Sequence, residues 1–308
     1  MRVPALLAGP DVAIAHSFRK PPYGGSNQFL IALRGELERR GLRVRANIVR
    51  PRTRACLINS YVFDEQSLRR RLHAGCRVVH RLDGPLSTYR GFDDGTDEYL
   101  SRVNLALADV TVFQSHYSLR ACLALGLDFR DPVVIPNAVD PRIFHLPARR
   151  EPIDGRPVRL ITTSWSDNPN KGAATLARLE QELDAARFRL TFVGRSPVEF
   201  RRIRTIAPVP SNRVAELLRE HDAFVMPSRH ESCSNALLEA LACGLPAAYI
   251  ASGGNGEVVG DAGIPFDDDD GAAGAVAQLA AELEERRGRI SIASLAEVAD
   301  RYVEAMGL

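Results

Sequence analysis

Lysine is nearly absent from this chain: Lys20 and Lys171 are the only two among 40 basic residues, so almost every surface cation is arginine. A lysine kept against that background suits a place that wants a compact point charge. No run approaches 18 apolar residues, which excludes a membrane-spanning helix. The mildly apolar start, Met1–Gly9, is too short for a signal segment and leads straight into strand-like Val12–His16. No two of the five cysteines (Cys56, Cys76, Cys122, Cys233, Cys243) stand as Cys-x-x-Cys, so zinc and disulfide frameworks are excluded and free thiols in a reducing cytoplasm are expected. The arginine-rich stretches lack interleaved aromatics, which argues against nucleic acid. No short-period repeat and no serine-hydrolase elbow is present.

What is there is an alternation of strand-like and helix-like runs. Strands are expected at 12–16, 42–48, 55–62, 77–82, 110–114 and 133–135, and helices at 25–40, 65–74, 98–108 and 115–125. The second half repeats the theme, with strands at 158–163, 188–193, 204–207, 223–226, 247–250 and 264–266. Its helices are expected at 172–182, 213–220, 235–242, 271–286 and 291–305. This order predicts an α/β protein of two Rossmann-like parallel-sheet domains. The Pro- and turn-rich stretch Pro136–Pro147 marks the boundary. The expected division is 1–148, 149–290 and a terminal segment 291–308.

The most informative stretch is Pro227–Pro246. Ser234 is a plausible N-cap, and Gly244 followed by Pro246 is a stop. Leu237, Leu238 and Leu241 fall on one inward face, and Glu231 and Glu239 stand eight residues apart around the helix start. A ligand there would meet backbone N–H groups at Ser234, Asn235 and Ala236, which suit phosphate, and two carboxylates, which suit hydroxyls. A molecule with both is a sugar nucleotide. The plainer reading is a capped amphipathic helix with two solvated glutamates.

Other loops fit the same reading. Gly24 and Gly25 open a helix after the first strand and permit close backbone approach, although the full phosphate-loop pattern is absent. Thr162–Gly172 joins a strand to a helix and carries Ser164 and Lys171, and Val193-Gly194-Arg195 ends another strand. A cation at a helix start is unfavourable unless an anion is nearby. Val78–Gly84 is a strand with polar groups at its end, where α/β sheets bind ligands. Asp83 is the candidate there, and His80 reads as a core histidine. Ser115 reads as a helix cap. The acidic run Asp267–Asp270 reads as a loop before a helix, and Asp93–Asp97 is no metal site.

The Glu231/Glu239 segment resembles the Glu-x7-Glu signature of retaining glycosyltransferases of family 4, which have the GT-B fold. Gly253–Gly260 resembles that family's Gly-Gly-x-x-Glu element near the donor, with Glu257 at the Glu position. Pro136–Phe144 resembles the segment leading to its interdomain linker, with Ala138 in place of the usual Gly. Gly24-Gly25 resembles its first loop. The resemblance implies two domains facing a cleft, an acceptor-side first domain and a donor-side second, with the terminal helix returning to the first. It implies transfer of a sugar from a nucleoside-diphosphate sugar, with retention, no metal and no cofactor. Glu231 would hold donor-sugar hydroxyls, Glu239 the ribose, and Lys171 the diphosphate. Where the family usually presents an Arg about six residues before that Lys, Trp165 stands here. Charge neutralisation then falls to Lys171, helix dipoles and hydroxyls such as Ser164 or Ser166, or to Arg195. A nucleotide-sugar epimerase or phosphorylase on the same fold, or a non-catalytic nucleotide- or partner-binding subunit, stays open as an alternative.

Charge is uneven. Residues 1–148 hold 21 Arg+Lys against 14 Asp+Glu, the remainder 19 against 24, and 13 of the basic residues lie between Arg34 and Arg81. The expectation is a cytoplasmic protein whose acceptor is a glycan, a lipid-linked group or a small molecule. Its basic face would touch an anionic membrane at the cytoplasmic side, or be a solvated surface.

Overall fold

The computed structural model describes residues 9–19 and 25–308. Chain packing divides them into two compact units. One holds residues 9–19, 29–137 and 294–308, the other 25–28 and 138–293. Residues 138–148, the tail of the division expected over 1–148, group with the second unit, where Phe144 is buried among Ile161, Leu217 and Phe224.

In the first unit the strands are β1 (Val12–Ala15), β2 (Val44–Ala46), β3 (Ala55–Asn59), β4 (Arg77–Leu82), β5 (Val110–Phe113) and β6 (Pro132–Val134). The helices are α1 (Gly25–Arg39, its first four residues grouped with the second unit), α2 (Glu65–Arg69), α3 (Leu86–Arg90), α4 (Thr96–Leu107) and α5 (His116–Ala124). All pairings are parallel, in the order β2-β1-β3-β4-β5-β6. Strands covered on both faces carry continuous apolar runs, and β1 and β3 are buried at every position. β2 stops well short of the expected 42–48. Asn47 takes a positive φ of 56°, and its side chain bonds both the N–H and the carbonyl of His16, at 3.0 and 2.9 Å, where a strand partner would have stood. α2 likewise ends five residues before the expected 74.

In the second unit the strands are β7 (Val158–Ser164), β8 (Phe188–Gly194), β9 (Arg204–Ile206), β10 (Ala223–Met226), β11 (Ala247–Ile250) and β12 (Gly263–Phe266). The helices are α6 (Ala173–Glu182), α7 (Ser211–Arg219), α8 (Asn235–Ala242), α9 (Asn255–Val259), α10 (Ala272–Ala281) and α11 (Leu283–Gly288). The order β12-β11-β10-β7-β8-β9 is again parallel throughout. One face packs on α7 and α8 through Ile161, Phe224, Leu217 and Leu237, and the other on α6 and α10 through Leu160, Phe192, Leu176 and Val276. The single helix expected over 271–286 is two, broken where Glu282 leaves helical geometry at φ −103° and ψ 15°.

The last helix, α12 (Leu295–Ala305), returns to the first unit. Arg40 pairs with Asp300 at 2.5 Å and donates to the Ala296 carbonyl, and Arg77 donates to the Ala305 carbonyl. Tyr302 is fully buried with its ring 5.8 Å from that of Phe29.

Candidate functional site

The strand order of the second unit reverses between β7 and β10, because the chain leaves β7 toward β8 and later returns to pair β10 on its other side. Such a switch point opens a crevice beyond the C-terminal ends of the two strands, and ligands of open α/β sheets bind there. The loops over this crevice carry most of the residues singled out in the sequence.

The β7 loop runs from Ser164 to a single 3-10 turn, Pro169–Lys171, capped by Asn168. Gly172 then takes φ +75°, and a Cβ there would stand 2.4 Å from the Pro227 Cβ, so only glycine lets this turn approach the loop after β10. The Arg229 N–H donates to the Asn170 carbonyl at 2.7 Å and locks the two loops together. Across that contact the Lys171 ammonium pairs with the Glu231 carboxylate at 2.5 Å, both largely buried. The Ser164 hydroxyl is buried without a hydrogen-bond partner among the described residues. Arg195 follows Gly194, donates its N–H to the Ser164 carbonyl at 2.9 Å and has an exposed side chain.

Glu231 is held from behind. Gly254 N–H donates to its carbonyl at 2.6 Å, and Gly253, at φ +68°, passes so close that a Cβ would lie 2.5 Å from that oxygen. His230 takes φ +57°, uncommon for a side-chain-bearing residue and concentrated at functional sites. Beyond this loop Ser234 caps α8, accepting from the Leu237 N–H. Leu237, Leu238 and Leu241 are buried as their spacing predicts, while Asn235 and Ala236 in the first turn stay partly exposed. Glu239 lies one turn in. Its carboxyl makes no hydrogen bond among the described residues, and loss of hydration pushes its pKa up to about 8. Glu257 is exposed on α9.

Three residues that sequence reasoning passed over complete this edge. Asn255, fully buried, donates to the Ser228 and Ile250 carbonyls at 2.8 and 3.2 Å and ties the loops after β10 and β11 together. Arg229 pairs with Asp269 at 3.0 Å, and Thr175 donates to the same carboxylate at 2.6 Å. Arg229 stood inside the stretch already singled out. Ser228, which Asn255 ties to its own loop, and the Arg229 and Thr175 partners of Asp269 are distant in sequence and left no local pattern. The acidic run is thereby divided: Asp268 accepts from the Gly271 N–H and Asp270 pairs with Arg178. Among the described residues no three His, Cys, Asp or Glu side chains gather as a metal site.

Gly24 lies outside the described residues; Gly25 begins α1. Asp83 belongs to the first unit, just past β4. The wholly buried Arg81 guanidinium donates to Asp83 at 3.1 Å, Asn59 at 2.6 Å and Asn137 at 2.8 Å, and lies 5.1 Å over the Phe29 ring. Gln114 donates to Asp83 as well. Asp83 is therefore a held, half-buried carboxylate at the C-terminal edge of the first sheet. His80 is buried in the core, its pKa lowered to about 4 by lost hydration. Ser115 caps α5 in a reciprocal box with Ser118.

Residues 157–282 match the family model described as glycosyl transferases group 1. No curated protein matches the chain. Among solved structures, sucrose-phosphate synthase from Thermosynechococcus elongatus is similar with a TM-score of 0.69 and 17% identity, over 96% of this chain and 94% of that one. The Anabaena protein HepE, in complex with UDP and glucose, gives 0.65 and 15% over 96% and 95%. The catalytic domain of Starch Synthase IV from Arabidopsis thaliana, bound to ADP and acarbose, gives 0.71 and 12% over 97% and 99%. The fold they share with this chain is the two-sheet α/β fold expected for GT-B.

Proposed function

We propose that this chain, a group 1 glycosyltransferase across residues 157–282, moves a sugar from a nucleoside-diphosphate sugar to an acceptor with retention and without a metal. The observation that carries the reading is the Lys171–Glu231 pair at the switch point of the second sheet, beside the N-terminus of α8. In the free protein each charge answers the other. A bound donor would bring the diphosphate to Lys171 and sugar hydroxyls to Glu231, so both ions keep a partner throughout.

The diphosphate would meet three further features. The N–H groups at the start of α8 and that end of its dipole favour anions. The buried Ser164 hydroxyl, without a partner among the described residues, would gain a hydrogen bond. Arg195, exposed at the next strand end, is the second cation in place of an arginine at the Trp165 position. Glu239, poor in hydration and in partners, would accept from the ribose hydroxyls. In the reaction the bond from the anomeric carbon to the diphosphate oxygen breaks and one to an acceptor oxygen forms. The electron pair leaves with the diphosphate, where Lys171 and the backbone donors stabilise it electrostatically. Asp83 is the first unit's candidate for handling an acceptor hydroxyl.

The test is turnover over a panel of UDP-, ADP- and GDP-sugars, each with and without glycan, lipid-linked and small-molecule acceptors. Acceptor-dependent release of nucleoside diphosphate supports transfer. Acceptor-independent conversion would replace it with the epimerase reading, phosphate-dependent conversion with the phosphorylase reading, and binding without turnover with the non-catalytic one.

A further inference from the structure

A second cavity lies at the opposite end of the second sheet, under the N-terminal ends of β7, β8 and β9, with a volume of about 790 Å³. That is room for a small metabolite. Its lining includes Arg159, Arg189, Arg202 and Arg204 against Glu180 and Glu220. Strand register sets Arg159 beside Arg189, and Arg204 beside Thr191, two residues further along β8. Residues two apart on a strand share a face, so three guanidiniums crowd one side of the sheet. Like charges directly opposite each other destabilise a sheet unless something offsets them.

Arg159 has its offset: Glu151 at 2.8 Å and Asp222 at 3.5 Å. Arg189 and Arg204 have none; neither side chain makes an ion pair or hydrogen bond among the described residues. The cavity's own carboxylates are engaged elsewhere. Glu180 accepts from the N–H groups of Arg202 and Ile203 at 2.6 and 2.9 Å, and Glu220 faces Arg213 at 3.6 Å. Two helices end here with partial negative charge, but both ends are partnered. Arg202 donates to the last carbonyls of α6, and His221 Nδ1 meets the Leu217 carbonyl of α7 at 2.6 Å. Leu179, Leu183 and Leu190, from the opposite, α6-facing side of the sheet, supply the cavity's apolar wall.

From the two unanswered guanidiniums over a part-apolar cavity we infer that the second unit has a binding site for a small phosphorylated metabolite, its phosphate between Arg189 and Arg204. The paired forks suit phosphate oxygens, and the apolar wall suits a carbon skeleton. The site stands at the other end of the strands from Lys171 and Glu231 and does not depend on the donor reading.

The experiment is calorimetric titration with two probes, inorganic phosphate and glucose 6-phosphate. Saturable binding is expected for both, tighter for the sugar phosphate. Lys171→Ala should leave it unchanged. Arg189→Ala and Arg204→Ala should each weaken it at least about tenfold, the scale of one lost charge-assisted bond. Arg189→Lys, which keeps the charge and loses the fork, should fall between. Both arginines are exposed, so these variants fold, and circular dichroism checks that they do. Three results overturn the inference. One is no saturable binding of either probe. Another is binding that Lys171→Ala abolishes and Arg189→Ala spares. The third is binding only to phosphatidylserine vesicles, lost in the arginine variants, which would make the patch a membrane contact.

Discussion

Glu239 is the residue whose physics is most exposed to test. Burial raises its carboxyl from the ordinary value of 4.5 to about 8, so the folded chain holds a proton that the unfolded chain releases. Stability from this group is therefore fully present below about pH 4.5, declines as pH rises toward 8, and is flat above. Glu239→Gln should flatten that decline and stabilise the ligand-free protein by about 1–2 kcal/mol at pH 8.5, less than the full shift because part of the side chain reaches solvent. Denaturant titrations at pH 5 and 8.5 give the difference directly. Ribose hydroxyls donating to the carboxylate favour its charged form, so nucleoside-diphosphate affinity should rise between pH 6.5 and 9. In Glu239→Gln that rise should vanish. A wild-type affinity flat over this range would remove the ribose role. Lys171→Ala should lower turnover by about 10²-fold, the scale for losing one electrostatic stabiliser of a developing charge. The variant also leaves Glu231 without its cation beside the proposed diphosphate position. Turnover near wild type would pass the role to Arg195.

At the scale of elements, the site depends on backbone that only glycine can follow. Gly253→Ala combines φ +68° with a Cβ 2.5 Å from the Glu231 carbonyl. We expect a loss of about 1–3 kcal/mol in stability and, on the proposed role of Glu231 toward the sugar, a larger loss of turnover than of nucleoside-diphosphate affinity. Equal losses of both would show a general disturbance. The same scale shows what a sequence displays. α8 was legible almost to the residue, because a cap, an apolar stripe and a Gly–Pro stop agree. The start of α12 was readable but missed: Ser294 and Glu297 form a reciprocal capping box, and the expected helix began four residues too early. The end of β2 was not legible, since Asn47 acts through His16, 31 residues away. For the same reason Lys171 and Glu231 could be named singly, whereas their pairing across 60 residues waited for the sheet order.

Over the whole molecule, the arginine excess of the first unit is less free than its count suggests. Arg34, Arg39, Arg40, Arg43, Arg69 and Arg81 all pair with carboxylates. Arg50, Arg52, Arg54 and Arg70 are exposed and carry no ion pair among the described residues. An anionic or membrane-embedded acceptor would associate faster at low salt, because physiological salt confines such fields to about 8 Å. Binding to anionic vesicles should fall as salt rises and fall further in a variant with these four changed to Gln. Flat salt dependence without vesicle binding would leave them as a solvated surface.

The return of α12 has a consequence for the order in which the chain acquires structure. During synthesis, residues 138–293 emerge as one uninterrupted stretch and can close their core at once. The first unit emerges earlier and yet stays unfinished, since Tyr302, buried beside Phe29, and the Arg40–Asp300 pair arrive only with the last residues. Domains ordinarily fold from the N-terminus onward as they leave the ribosome. Here the second half should become protease-resistant before the first, and chains stalled just short of residue 294 should show a protected fragment covering 138–293 and an open first unit.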